Sequence, residues 1–234
     1  MKPSVVLSAL LLIAFSACEE KEKIVEVVDE VPKDVFRVEL CETLNSTVMA
    51  MLSESSNNKE KYPALFADNA QGHIVLKAES DVYISYVTES ASVPSTLGFY
   101  TYTGGGPSST DEVEREVAFP HVSSAVLTPG DSRRLGKFPA GTVIGFFLVV
   151  GGYHDNTVNW NKPTYWTRPD WNDGGFRQHV LFSEQNCNNI VMAFEDKNIQ
   201  KGADNDFNDI VFVISDNDSN QASTAFDLNA VPAF

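Results

Sequence analysis

The chain has 234 residues, 43% hydrophobic and 11% aromatic, enough to bury one sizeable core. A formal net charge of −15 argues against a nucleic-acid partner, which needs a basic surface, and against direct adsorption to anionic lipid headgroups. Hard divalent cations are the natural counter-ions of such a surface.

The N-terminal end reads as a targeting segment. Lys2 gives a short positive region and VVLSALLLIAF, residues 5 to 15, an apolar run. A run this short cannot cross a bilayer, which takes about 20 residues, so residues 1–17 read as a signal peptide. Ser16 and Ala17 before Cys18, with EEKEK directly after it, resemble a bacterial lipoprotein box in which Cys18 is acylated. The alternative is a plain secretory peptide with an incidental cysteine. On the lipoprotein reading, an N-terminal lipid anchor holds the chain at the outer membrane. The acids after Cys18 resemble the tether that carries some Gram-negative lipoproteins to the cell surface. Cys41 and Cys187 are then left over; outside the cytoplasm they could pair, but their distance in sequence does not establish a disulfide. The reading leans toward free thiols acting as small apolar residues.

Residues 18–34, acids, lysines and valines with Pro32, read as a solvated spacer. From Val35 to about Leu52, Phe36, Leu40, Leu44, Val48 and Met51 recur at three- or four-residue spacing and predict one short N-terminal helix. SESSNNKEKYP then breaks it. The pattern turns to strands in HIVLKAE, DVYISYVTE, TLGFYTYT, EVEREVAFP, TVIGFFLVV, QHVLF, NIVMAFE and DIVFVI, separated by Gly, Pro, Asn and Ser turns. TVIGFFLVV and DIVFVI are apolar on both faces, as central strands covered on both sides would be. Residues 35–216 are thus expected to form one all-β domain, an antiparallel β-sandwich of jelly-roll-like type. No repeat of 20 to 50 residues suggests a solenoid or propeller. The tail, 217–234, is either a flexible end or a last edge strand.

Residues 151–176 hold all three tryptophans, Trp160, Trp166 and Trp171, with Tyr153 and Tyr165 among amides and acids. Long loops at the end of a sandwich often bind ligands, and such rings suit sugar faces or a surface-protein partner. Equally, they can fold back to cap the core.

The stretch EDKNIQKGADNDFNDIVFVI, residues 195 to 214, gathers Glu195, Asp196, Asp204, Asn205, Asp206, Asn208 and Asp209 before an apolar strand. Crowded carboxylates repel unless a positive charge sits between them, and only Lys197 and Lys201 lie nearby in sequence. Calcium takes six to eight oxygen ligands of these kinds. Asp204, Asp206 and Asn208 alternate like the first ligands of an EF-hand, but Asp209 stands where Gly is required, Ser215 where Glu is required, and a strand follows in place of a helix. A solvated, turn-forming loop is the bland alternative. The density of oxygen-bearing side chains at the mouth of a strand favours a calcium loop.

At this loop the chain resembles a known family. AFED followed by DNDFNDIVF is similar to the C-terminal signature of the bacterial family called domain of unknown function 4114. VTESASVPSTLGFYTY, LGKFPAGTVIGFFLVVGGY and QHVLF continue the likeness upstream in the same order, so that it spans about residues 72 to 216. The resemblance implies a secreted or surface β-sandwich that binds calcium, without an established activity, and adds Glu89 to the ligand candidates.

Catalysis finds little support. There is no G-x-S-x-G, H-E-x-x-H or C-x-x-C, and His154 and His179 lack a metal-site spacing. His179, beside an apolar strand, reads as a packed core residue. The sequence reading is therefore a surface-anchored, non-catalytic calcium-binding β-sandwich for adhesion or ligand binding, with a carbohydrate-binding module using loop 151–176 as the alternative.

Overall fold

The computed structural model describes residues 28–234; the signal-peptide and Cys18 lipidation readings, and most of the spacer, lie outside the described residues. Thirteen strands are present among the described residues: β1 (Phe36–Arg37), β2 (Ile74–Val75), β3 (Ser80–Glu89), β4 (Ser95–Tyr102), β5 (Glu116–Val122), β6 (Asp131–Phe138), β7 (Val143–Val149), β8 (Tyr153–His154), β9 (Thr157–Val158), β10 (Thr164–Trp166), β11 (His179–Glu184), β12 (Asn189–Phe194) and β13 (Ile210–Ser215). Two helices, α1 (Leu44–Met51) and α2 (Asn58–Lys61), separate β1 from β2.

Eleven of the strands form two antiparallel sheets, as an all-β sandwich requires, and β8 and β9 pair as a separate two-stranded ribbon. One runs β1-β6-β3-β13-β12-β11; the other runs β10-β7-β4-β5, with β2 sharing β7's outer edge. Alternation along each strand sends one set of side chains between the sheets. Ile84 and Tyr86 of β3, Ile210, Phe212 and Ile214 of β13, and Leu97, Phe99, Phe146 and Leu148 of β4 and β7 fill that core.

The doubly apolar strands are explained by a second layer outside each sheet. Val211 and Val213 of β13, with Val191 and Ala193 of β12, face outward from the six-stranded sheet and are covered by Leu44, Val48 and Leu52 of the α1 segment. On the other side, Tyr100, Phe147, Val149 and Trp166 form an outer cluster on the five-stranded sheet. Two glycines make room for it. A Cβ on Gly145 would collide with the Tyr100 ring, and one on Gly98 with the Phe147 ring.

Several expectations are corrected. The helix does not run from Val35 to Leu52. Phe36 pairs with Ser132 of β6 and sets its ring edge-on against Tyr83, so helical spacing there reflects packing from a strand. Only Leu44–Met51 is helical in that span. HIVLKAE contributes a two-residue strand. The strand β6 went unforeseen, because Arg133, Arg134, Gly136 and Lys137 hide its alternation, yet it pairs with β3 from Ser80 to Ser85. The leaning toward free thiols is also overturned: Cys41 and Cys187 form a disulfide, with Cα atoms 5.9 Å apart. Their 146-residue separation says nothing about space once α1 lies across the sheet that contains the β11–β12 turn.

The tail is neither free nor a simple edge strand. Asp227 N–H bonds to the Val75 carbonyl (2.8 Å), and Ser183 N–H bonds to the Pro232 carbonyl (2.8 Å). It therefore crosses from β2 in one sheet to β11 in the other. Asp216 fixes its start by accepting from the N–H groups of Thr224 (2.6 Å) and Ala225 (2.7 Å).

Candidate metal centre

Phe194, the last residue of β12, pairs with Ile210, the first of β13. The next residues outward, Glu195-Asp196 and Asp209, therefore face each other across the open end of the pair. Carboxylate oxygens of Glu195, Asp196 and Asp209 lie within 4.8 Å of one another. Around calcium, with ligand oxygens at 2.3–2.6 Å, oxygens on opposite sides are about 4.6–5.2 Å apart, so one ion can reach all three.

The surroundings fix this arrangement. Gln178, just before β11, accepts from Ile199 N–H (3.0 Å), donates to the Lys197 carbonyl (2.7 Å), and through its own carbonyl accepts from Glu195 N–H (3.0 Å). One Asp209 oxygen accepts from Asp196 N–H (2.7 Å). The Asp209 carbonyl takes the N–H groups of Ser90 and Ala91 after β3. Glu195 is 1% and Asp196 5% exposed, yet Glu195 Oε2 and Asp196 Oδ1 have no hydrogen-bond partner. Two orphaned carboxylate oxygens at such burial are costly unless a cation or proton satisfies them.

The electrostatics agree. Burial, then the charge of Asp209, pushes the Glu195 carboxyl well above the usual range, and burial raises Asp196 and Asp209 as well. The shift is largest at Glu195, so its carboxyl resists ionisation most. A dication between these carboxylates would offset both the burial and the mutual repulsion. The residues present thus fit a hard cation.

The predicted ligands divide. Asp204 and Asp206 belong to a second group with Glu54, again with oxygens within 4.8 Å of one another. Asp206 accepts from Ser55 N–H (2.8 Å) and Asn208 N–H (3.2 Å), and burial raises its pKa. The expected convergence of all seven side chains on one point is therefore corrected to two groups. Asn205, at positive φ, bonds Ala203's carbonyl and shapes the turn. Asn208 is a brace: its amide donates to the Leu52 carbonyl (2.9 Å) and its oxygen accepts from Ser90 Oγ (2.8 Å). Glu89 pairs with Ile210 along the backbone, but its carboxylate accepts from Ser124 N–H (2.8 Å) and joins neither group. Glu54 was missed because its partners lie some 150 residues away; the only local sign was an acid inside a Ser- and Asn-rich turn.

The aromatic loop lies mostly against the protein. Trp166 is 5% exposed, and Trp171 packs between Trp166 and Tyr100 (5.3 Å to each) with Arg168 over its ring. Asn172 knits this turn, accepting from Trp166 N–H (2.7 Å) and donating to the Trp166 and Phe176 carbonyls. Tyr153 stacks on His121 (4.7 Å). Trp160 is 38% exposed, with Arg115 over its ring at 4.8 Å. Tyr165 is half-buried, and its phenol is raised by burial and by the charges of Asp196, Asp173 and Glu195, so it borders the first acidic group. His179 is fully buried and bonds the Gly72 carbonyl, a core residue as read.

Fold and site together define a two-sheet antiparallel β-sandwich with an acidic loop at one end of its central strands. Residues 138–217, from the end of β6 to just past β13, match the family model described as Domain of unknown function (DUF4114). The match takes in both aromatic loop and acidic loop; the likeness read upstream of it, Glu89 included, lies outside the matched residues. Comparison with curated proteins and with solved structures found no match.

Proposed function

We propose that this chain is a surface-anchored, non-catalytic calcium-binding lipoprotein whose β-sandwich serves adhesion or ligand binding. The observation that carries the metal reading is the pair of buried, unpartnered oxygens on Glu195 and Asp196 facing Asp209. Calcium would neutralise the mutual repulsion of these acids and lock the β12–β13 opening to the loop after β3. Its role is structural: the chain's own residues hold the ion, and the ion holds the loops. The lipid-anchor reading rests on the residues around Cys18. The Cys41–Cys187 disulfide supports an oxidising compartment outside the cytoplasm. Among the described residues no helix is long and apolar enough to cross a membrane.

A ligand that binds only the folded state stabilises it by mass action, about 2.7 kcal/mol at a hundredfold excess over its Kd. For a domain of this size that corresponds to roughly 5–11 °C in Tm. Stripping calcium with EGTA should lower Tm by about that amount, and calcium should restore it. An unchanged Tm in protein shown by elemental analysis to have lost its metal sinks the proposal.

A second reading, glycan contact through the aromatic loop, is favoured by one observation: Trp160 keeps its ring partly in solvent beside Arg115. Loss of glycan-array binding in Trp160→Ala would support it.

A further inference from the structure

A cleft of about 500 Å³ lies between α2 with the segment after it and the C-terminal end of the aromatic loop, with Ile199 of the β12–β13 connection in its wall and none of the grouped acidic carboxylates in its lining. Its lining includes Lys59, Phe66, Asp68, Asp170, Phe176 and Arg177. In volume it falls within the range of small-molecule sites.

Arg177 is the unusual member. Its Nη2 donates to the Ala70 carbonyl (2.9 Å), but Nη1 is buried and finds no acceptor. No ion pair joins it among the described residues, and Asp68 acts on it only through space. Burial holds its pKa below the usual guanidinium range, and its charge helps keep His73 and His179 neutral. A chain of net charge −15 has carboxylates in abundance, yet none is placed on this guanidinium. A buried donor without an acceptor carries a desolvation cost, greater when charged, and Arg177 lines the cleft. Lys59, exposed on the rim, adds a second positive charge.

The rest of the lining narrows the ligand. Phe66 and Phe176 provide apolar wall, suited to the C–H face of a ring. Asp68 supplies only acceptors at neutral pH, and Asp170, whose oxygens already accept from Arg168 (3.1 and 2.6 Å), has only its remaining lone pairs to offer; these suit hydroxyl donors and oppose a doubly charged phosphate. Gly175, at φ +73°, leaves one side open, since a Cβ there would meet nothing within 4 Å.

We propose that this cleft binds a carboxylated sugar ring. Arg177 and Lys59 take the carboxylate, Phe66 and Phe176 the apolar face, and Asp68 and Asp170 the hydroxyls. Weak, single-ring affinity is expected, near 1 mM, corresponding to about −4 kcal/mol.

The test is a titration of the full mature chain with sodium glucuronate, followed by amide chemical-shift changes. Glucose, acetate and inorganic phosphate serve as comparison probes. Saturable shifts around residues 59, 66 and 175–177 are expected with glucuronate, with glucose and phosphate at least tenfold weaker and acetate weaker than the full ring. Arg177→Gln should reduce affinity at least tenfold, and Lys59→Glu, on an exposed side chain, severalfold. If Arg177→Gln does not fold, Lys59→Glu decides alone. Glucose or phosphate binding as tightly as glucuronate overturns the assignment. So does unchanged affinity in a folded variant, or no saturation by 20-fold the expected dissociation constant.

Discussion

Replacing Glu195 by Gln should act in opposite directions depending on whether calcium is present. In metal-free protein the Glu195 carboxyl is pushed up from 4.5 to about 9, so the folded state keeps a proton at pH 7 that the unfolded chain has released. For an acid raised in this way, its contribution to stability is full below about pH 4.5 and is lost as pH climbs toward the folded value. Between pH 4.5 and 7 the loss is 2.5 pH units at 1.36 kcal/mol each, up to about 3 kcal/mol. Gln resembles the protonated carboxyl in shape and carries no such penalty. Metal-free Glu195→Gln should therefore melt roughly 6–12 °C above metal-free wild type at pH 7, with the gap closing near pH 4.5. With excess calcium the order should reverse or vanish, because the variant has lost a charged ligand. Differential scanning calorimetry at both pH values, with EGTA or with calcium, reads all four conditions. A variant that gains as much from calcium as the wild type, or that is less stable than wild type when both lack metal at pH 7, refutes the account of this site.

Other outcomes follow from the rest of the structure. Cys187→Ser removes a link that closes a loop of 146 residues and should cost about 2–5 kcal/mol in denaturant unfolding. Trp166→Ala should destabilise by about 3–5 kcal/mol, since it empties an outer-layer core, whereas Trp160→Ala should stay within about 1 kcal/mol by the same assay. Burial opposes ionisation of Asp216, but the N–H groups of Ala225 and Thr224 and the Asn217 amide overcome it and lower its pKa. Its contribution is present above its ordinary value of 3.8 and lost as pH falls below it, so Asp216→Ala should speed hydrogen exchange at Thr224 and Ala225 at neutral pH and much less at pH 3.

What could be read from the sequence was local. Strands β3, β4, β7, β12 and β13 announced themselves because β-branched and aromatic residues dominate them, and β7 and β13 revealed their double burial by being apolar throughout. Glu195, Asp196 and Asp209 were legible as a group because they flank paired strands. What escaped notice depends on contacts across the chain. β6 is held by pairing that overrides its charged composition; the disulfide and Glu54 depend on how the α1 segment folds over the six-stranded sheet. Asn205 and Asn208 share the composition of ligands, but backbone conformation and buried hydrogen bonds assign them to shaping and bracing the loop. The tryptophans carried no pattern to tell a capping ring from an exposed one.

Under the proposed N-terminal anchor, the covalent tie between Cys41 and Cys187 would have a mechanical consequence. Tension arriving along residues 28–40 would meet first the Val28–Asn156, Glu30–His121 and Asp34–Arg133 contacts and then the two-residue strand β1, whose few bonds to β6 are easily stripped. At Cys41 the peeling stops, because load then passes directly into the hairpin that joins β11 to β12. The helix behind that point, and the apolar face it shields, are left out of the path of the force.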